Sequence, residues 1–172
     1  MNTRPNWIVM VGGSIPKYAE DLAANLTLVM SSDNGLDEID AHACALAAAI
    51  VSNNAGFADE IAMNGPLFKT TEREAAKTAA FLVTCDDLCS NFRACSNHTG
   101  QSNLSEVGAD NFGGVSPLKY NMYALAAAVA LKSDVNIIKY VLYLRGCDAT
   151  DRQIQAIGEI AAVISTFTKI MA

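Results

Sequence analysis

A chain of 172 residues with a hydrophobic fraction of 51% and a charged fraction of 17% has the apolar material for one single-core domain, taken as residues 1–172. Its 12 Lys and Arg against 18 Asp and Glu leave a net charge of -6 and show no basic stripe, which argues against nucleic acid or an anionic membrane surface as a partner. Aromatics at only 7%, with alanine runs at Ala47–Ala49 and Ala126–Ala128, favour closely packed helices over strands, so the expected fold class is all-α.

In chain order, Trp7 to Val11 is apolar but far shorter than the roughly 20 residues of a membrane span, and Gly12-Gly13 ends it. The expected compartment is therefore the cytoplasm. From Pro16 to Met30 the apolar residues Tyr18, Leu22, Leu26 and Val29 recur at three- and four-residue intervals, which predicts a first amphipathic helix, with Ser14 able to cap it. Ser31 to Gly35 breaks it, and an alanine-rich helix follows from about Asp37.

Sliding the chain on itself exposes an internal repeat. Ala45-Leu-Ala-Ala-Ala-Ile50 returns as Ala124-Leu-Ala-Ala-Ala-Val129, and at the same offset Thr71-Glu-Arg-Glu74 returns as Thr150-Asp-Arg-Gln153, each reading as a capping box. The predicted helices are about 37–52, 55–64 and 72–92 in the first copy (36–95), and 118–132, 134–145 and 151–171 in the second (117–172). Between them, 96–116 is rich in Asn, Ser and Gly and reads as a long surface connection or a lid.

Beyond the repeat itself, several strings and the order of elements resemble the alkylhydroperoxidase D (AhpD) family. They are Tyr18-Ala-Glu-Asp-Leu22 with Asn25-Leu26, then Ala45 through Ile50 to Asn54, then Glu74-Ala-Ala-Lys77 with Ala79-Ala80, in that order between residues 18 and 80. The second copy also resembles the wider carboxymuconolactone decarboxylase-like group. The resemblance implies an AhpD-like bundle of two helical repeats behind an N-terminal helix. It further implies an antioxidant oxidoreductase ancestry, a homotrimer or higher homo-oligomer, a peroxiredoxin or lipoylated protein as redox partner, and no cofactor.

In that family a glutamate precedes a Cys-x-x-Cys at a helix N-terminus, with a histidine four positions after the second cysteine. The helix end favours the thiolate, the histidine and glutamate relay a proton, and the second cysteine resolves the sulfenic acid into a disulfide. Anchored on Leu144 to Thr150, the cysteine positions fall on Ser133 and Asn136, the histidine on Tyr140 and the glutamate on Asn121. No cysteine or histidine occurs from Pro117 to Gly146, so a small slip in alignment restores nothing. A serine hydroxyl cannot cycle through a disulfide, and the expectation is that Ser133 and Asn136 act as a helix cap.

The five cysteines, Cys44, Cys85, Cys89, Cys95 and Cys147, are an odd number and are expected to be reduced. Cys85 and Cys89 are four apart on a predicted helix, with Cys95 and His98 beyond them. This series admits a relocated redox pair, a metal site on Cys85, Cys89, Cys95 and His98, or plain packing of small apolar side chains. Adjacent Asp86 and Asp87 would raise a thiol pKa and slow its attack on peroxide. His42 and Cys44 carry no assigned role, and Tyr120, Tyr123, Tyr140 and Tyr143 are expected to line a core or a subunit contact.

Three functions are carried forward: a protein that has lost the family's peroxidase reaction, a thiol peroxidase using Cys85, Cys89 or Cys95, and a decarboxylase-like enzyme using Tyr140 or a residue of 96–116 as acid or base.

Overall fold

A computed structural model describes residues 7–8, 15–67, 70–96 and 112–171. Among them every regular element is helical, in agreement with the all-α expectation. The α-helices are α1 (Glu20–Val29), α2 (Glu38–Val51), α3 (Ala55–Met63), α4 (Thr71–Ser96), α5 (Pro117–Leu131), α6 (Asp134–Gly146) and α7 (Asp151–Ile170). None is long and apolar enough to cross a membrane.

The first helix departs from its expected start. A 3-10 turn at Lys17–Ala19 precedes α1, opened by the Ala19 amide donating to the carbonyl of Pro16 at 2.8 Å, and Pro16 itself is extended, with ψ 147°. Ser14, the expected cap, lies outside the described residues, and no side chain caps α1.

Two alanine-rich helices form the centre. From Asp40 to Ala49 every residue of α2 is buried, and from Tyr120 to Ala128 every residue of α5 is buried. A helix covered on all sides is mostly apolar, with Asp40, His42 and Asn121 the buried polar residues of these two stretches, and small side chains let its neighbours approach closely. The helices α2 and α5 pack on each other, and each also packs on both α4 and α7. The helix α3 adds to α2, α6 to α5, and α1 to α7. This pairing is what two repeats related by an approximate two-fold axis produce.

Local geometry repeats as well. Asp37 and Ser116 cap α2 and α5, with each side chain accepting from the amide three residues on. Asn53 and Lys132, one residue before the N-cap positions Asn54 and Ser133, both take left-handed φ values of 61° and 59°. The repeat then slips by one. Thr150 makes the expected capping box with Gln153, but the first copy is capped by Thr70, whose Oγ1 accepts from the Arg73 amide at 3.3 Å. Of two adjacent threonines the earlier one caps, and Thr71 turns its hydroxyl to Glu72, so Thr71-Glu-Arg-Glu74 is not a capping box.

Gly113 shows how the chain returns to the bundle before α5. It has φ 65°, and a Cβ there would stand 2.8 Å from Cα of Ala75 in α4. Gly113→Ala should therefore cost about 2–4 kcal/mol through backbone strain and a steric clash. A denaturant midpoint equal to that of the wild type would show that this turn does not seat on α4.

Candidate functional site

The four positions singled out by the resemblance all lie inside the bundle. Asn121 of α5 is buried, as are Ser133, Asn136 and Tyr140 around α6. Asn136 and Tyr140 lie one turn apart, with Leu144 a turn further, on the face that α6 buries against α5. Ser133 stands at the N-cap position, but its side chain caps no backbone amide. Its Oγ instead accepts from Asn136 Nδ2 at 3.1 Å, so the expected cap becomes a side-chain pair. Asn136 Oδ1 is buried without a partner among the described residues.

Tyr140 meets Tyr143 edge to face at 6.1 Å and carries Lys139 Nζ 5.5 Å from its ring centroid. Burial raises its phenol pKa, with the nearby Tyr120, Asp86 and Tyr143 adding to the effect. A neutral phenol and two neutral amides cannot open a peroxide by thiolate attack.

A second cluster was missed by sequence reasoning. The first turns of α2, α4 and α5 converge, and Lys119 extends its ammonium among three carboxylates, 3.0 Å from Asp40 Oδ1, 3.4 Å from Glu72 Oε1 and 3.7 Å from Asp37 Oδ2. Tyr123 donates its hydroxyl to the same Asp40 oxygen at 2.5 Å. Three helix N-termini disfavour a lone cation and favour the carboxylates, so the lysine is held by its partners rather than by the helices.

Burial pushes the Asp40 carboxyl above the usual carboxylate range, against the hydrogen bonds from Tyr123 and Lys119 that favour its ionised form. Burial works against the charge of Lys119 too, but is outweighed by hydrogen bonding to Asp40 and by the charges of Asp40 and Asp37, so its pKa rises. The repeat could have exposed this cluster, because Asp40 and Lys119 hold matching places in α2 and α5.

His42, also on α2, hydrogen-bonds through Nδ1 to the Glu38 carbonyl at 2.7 Å, which makes that nitrogen the protonated one. Its Nε2 is buried without a partner among the described residues, as is Trp7 Nε1, and the two rings meet edge to face at 5.7 Å. Burial lowers the His42 pKa, so the ring is neutral.

The cysteines separate. Cys44 is buried, Cys85 and Cys95 are exposed, and Cys89 and Cys147 are intermediate, all as free thiols. Desolvation, then the neighbouring Cys85, raise the Cys89 pKa, the direction opposite to that of an activated thiol. His98, the fourth member of the possible metal set, lies outside the described residues. Among the described residues no group of three or more His, Cys, Asp or Glu is arranged to hold a metal ion. Of the four tyrosines expected to line a core or contact, Tyr120, Tyr123 and Tyr140 are buried, while Tyr143 is 50% exposed.

No protein-family model matches the chain, and no curated protein matches it in sequence. Structure alone therefore defines the class: an all-helical protein of seven packed helices among its described residues.

Proposed function

We propose that the protein is a non-catalytic relative of the AhpD peroxidases, a binding or structural module in which the thiol site has become part of the core. The observation that carries this reading is the Ser133–Asn136 pair. At the two positions that match the family's cysteines, a hydroxyl and an amide bond to each other inside the protein. The matching glutamate and histidine positions hold Asn121 and Tyr140, neither of which is a base at neutral pH.

The thiol alternative at Cys85, Cys89 and Cys95 has less support, because Cys89 is made less acidic by its surroundings. The decarboxylase-like alternative needs a base, and a buried phenol whose pKa is raised serves only as a proton donor.

The deciding measurement is hydroperoxide reduction with a lipoyl or dithiol reductant, where no turnover above the reductant alone is expected. Turnover lost on replacing Cys85, Cys89 and Cys95 would favour the thiol alternative. Turnover that survives replacement of all five cysteines would defeat both. The combined variant N121E, S133C, N136C and Y140H tests the ancestry directly. It should form a disulfide between its two new thiols and gain measurable peroxidase activity, and a folded, bridged variant without activity would sever the site from the resemblance.

A further inference from the structure

Trp7, the one tryptophan of the chain, is fully buried ahead of the helical bundle, with Ile8 buried beside it. Its indole meets His42 of α2 edge to face at 5.7 Å and Phe57 of α3 at 5.9 Å, and Phe57 in turn stacks on Phe167 of α7 at 6.2 Å. A glycine makes this approach possible. A Cβ on Gly65, just after α3, would stand 3.4 Å from Trp7 Nε1, 3.4 Å from His42 Cδ2 and 3.2 Å from the Ile61 carbonyl oxygen. Cδ2 is the ring carbon bonded to Nε2, so the indole N–H and the imidazole Nε2 border the same small space beside Gly65.

These two atoms are the matching halves of one hydrogen bond. An indole nitrogen can only donate. With Nδ1 protonated and donating to the Glu38 carbonyl at 2.7 Å, His42 Nε2 can only accept. Both are buried, neither has another partner among the described residues, and buried polar groups seldom stay unpaired.

We infer that Trp7 Nε1 donates to His42 Nε2, directly or through one water, and that this bond is an acid-sensitive latch holding the N-terminal stretch on α2 and α3. Protonation of Nε2 turns the acceptor into a donor, so that two N–H groups face each other and a charge is placed among apolar rings.

The surroundings give that charge little compensation. On α2 itself Glu38, one turn back, is exposed. The buried side chains of α3 and α7 include no titratable group, and those of α4 are alanines and a valine. Glu72, Lys119 and Tyr123, from α4 and α5, gather around Asp40, which lies about 200° round α2 from His42, and Tyr120 of α5 packs on Phe112. Burial accordingly lowers the His42 pKa from 6.5. The latch is complete above that value and is lost as pH falls through the lowered one.

Tryptophan emission reports this contact alone, because Trp7 has no companion. It should be that of a buried indole at neutral pH and should move to that of an indole in water between about pH 6 and pH 4, with helical circular dichroism retained. His42→Gln, whose amide oxygen accepts without titrating, should hold the buried emission throughout, while His98→Gln, at the other histidine, should leave the transition unchanged. If His42→Gln fails to fold, NMR of the His42 ring protons is read in its place: their pKa should lie below 6.5 in the wild type and closer to 6.5 in Trp7→Phe, which lacks the donor. Wild-type emission that stays buried to pH 4 would overturn the inference, and is what a partner for the indole outside the described residues would give. So would a shift that comes only with loss of the helices, one that persists in His42→Gln or vanishes in His98→Gln, or a His42 pKa that Trp7→Phe leaves unmoved. None of these results depends on whether peroxide is reduced.

Discussion

At high pH the protein should unfold in one cooperative step, and most of its tyrosines should ionise only in that step. Burial raises the Tyr120 pKa to about 12 and those of Tyr123 and Tyr140 further, with Asp40 adding to the effect on Tyr123 and nearby side chains to that on Tyr140. Cys44 is pushed well above 9.0 by burial, then by the charges of Asp40 and Asp37. In each case the folded pKa lies above the unfolded one, so the fold keeps a proton that the unfolded chain has lost. The associated stability is complete below the unfolded pKa and is lost as pH rises towards the folded value.

With three tyrosines protonated in the native state, stability should fall by roughly 4 kcal/mol per pH unit once the unfolded tyrosines are ionised. A domain of ordinary stability is then exhausted between about pH 11 and 13. Tyrosinate absorbance followed beside far-ultraviolet circular dichroism checks this. All five tyrosines titrating near pH 10 with the helical signal intact would refute it.

Lys119→Met should be the most damaging single substitution outside the apolar core. It removes the cation from beside Asp40, whose side chain is only 8% exposed, and leaves Asp37 and Glu72 facing the same space. Breaking a buried pair in this way costs about 3–5 kcal/mol. The penalty should depend on pH with a definite sign. Without the lysine, Asp40 is raised further and can escape its unpaired charge by taking a proton, so the loss should shrink from pH 7 towards pH 4.

Glu72 and Asp37 change in the other direction. Burial pushes both upward but is outweighed by their hydrogen bonds and by Lys119, so their folded pKa values are lowered. Their contribution in the wild type is present at neutral pH and fades as pH falls through the lowered values. Denaturation of wild type, Lys119→Met, Asp40→Asn and the double variant at both pH values gives the coupling. An equal penalty at pH 7 and pH 4 would mean that lost packing, not charge, explains the effect.

The helices were legible because their signals are local and redundant. The alanine runs and the Thr150 box each act within one turn, and the alanine run occurs in both repeats. The misreadings fall where two local choices compete: Thr70 or Thr71 as a cap, and a 3-10 turn or a helix at Pro16. At Ser133 the residue type was right for a cap, but Asn136 three residues on supplied a donor that claimed the hydroxyl.

The charged cluster was illegible for another reason. Asp37, Asp40, Glu72, Lys119 and Tyr123 come from three helices, and no spacing along the chain brings them together until the repeat is folded on itself. On α4 the spacing of Cys85, Cys89 and Cys95 showed only that the first two share a side of the helix, and not that Cys85 and Cys95 would stand exposed with Phe81, Leu88 and Phe92.

Asp40 and Lys119 stand at matching places in the two repeats and yet touch each other at 3.0 Å. In two identical half-chains packed about a two-fold axis, a residue at this place would meet its own twin, acid against acid or base against base, and no symmetric pair can be an ion pair. The contact therefore needs the two repeats to differ here, as they also do at Tyr123, whose counterpart in the first repeat is Cys44. Neither half could be replaced by a second copy of the other without bringing like charges together at the centre of the bundle.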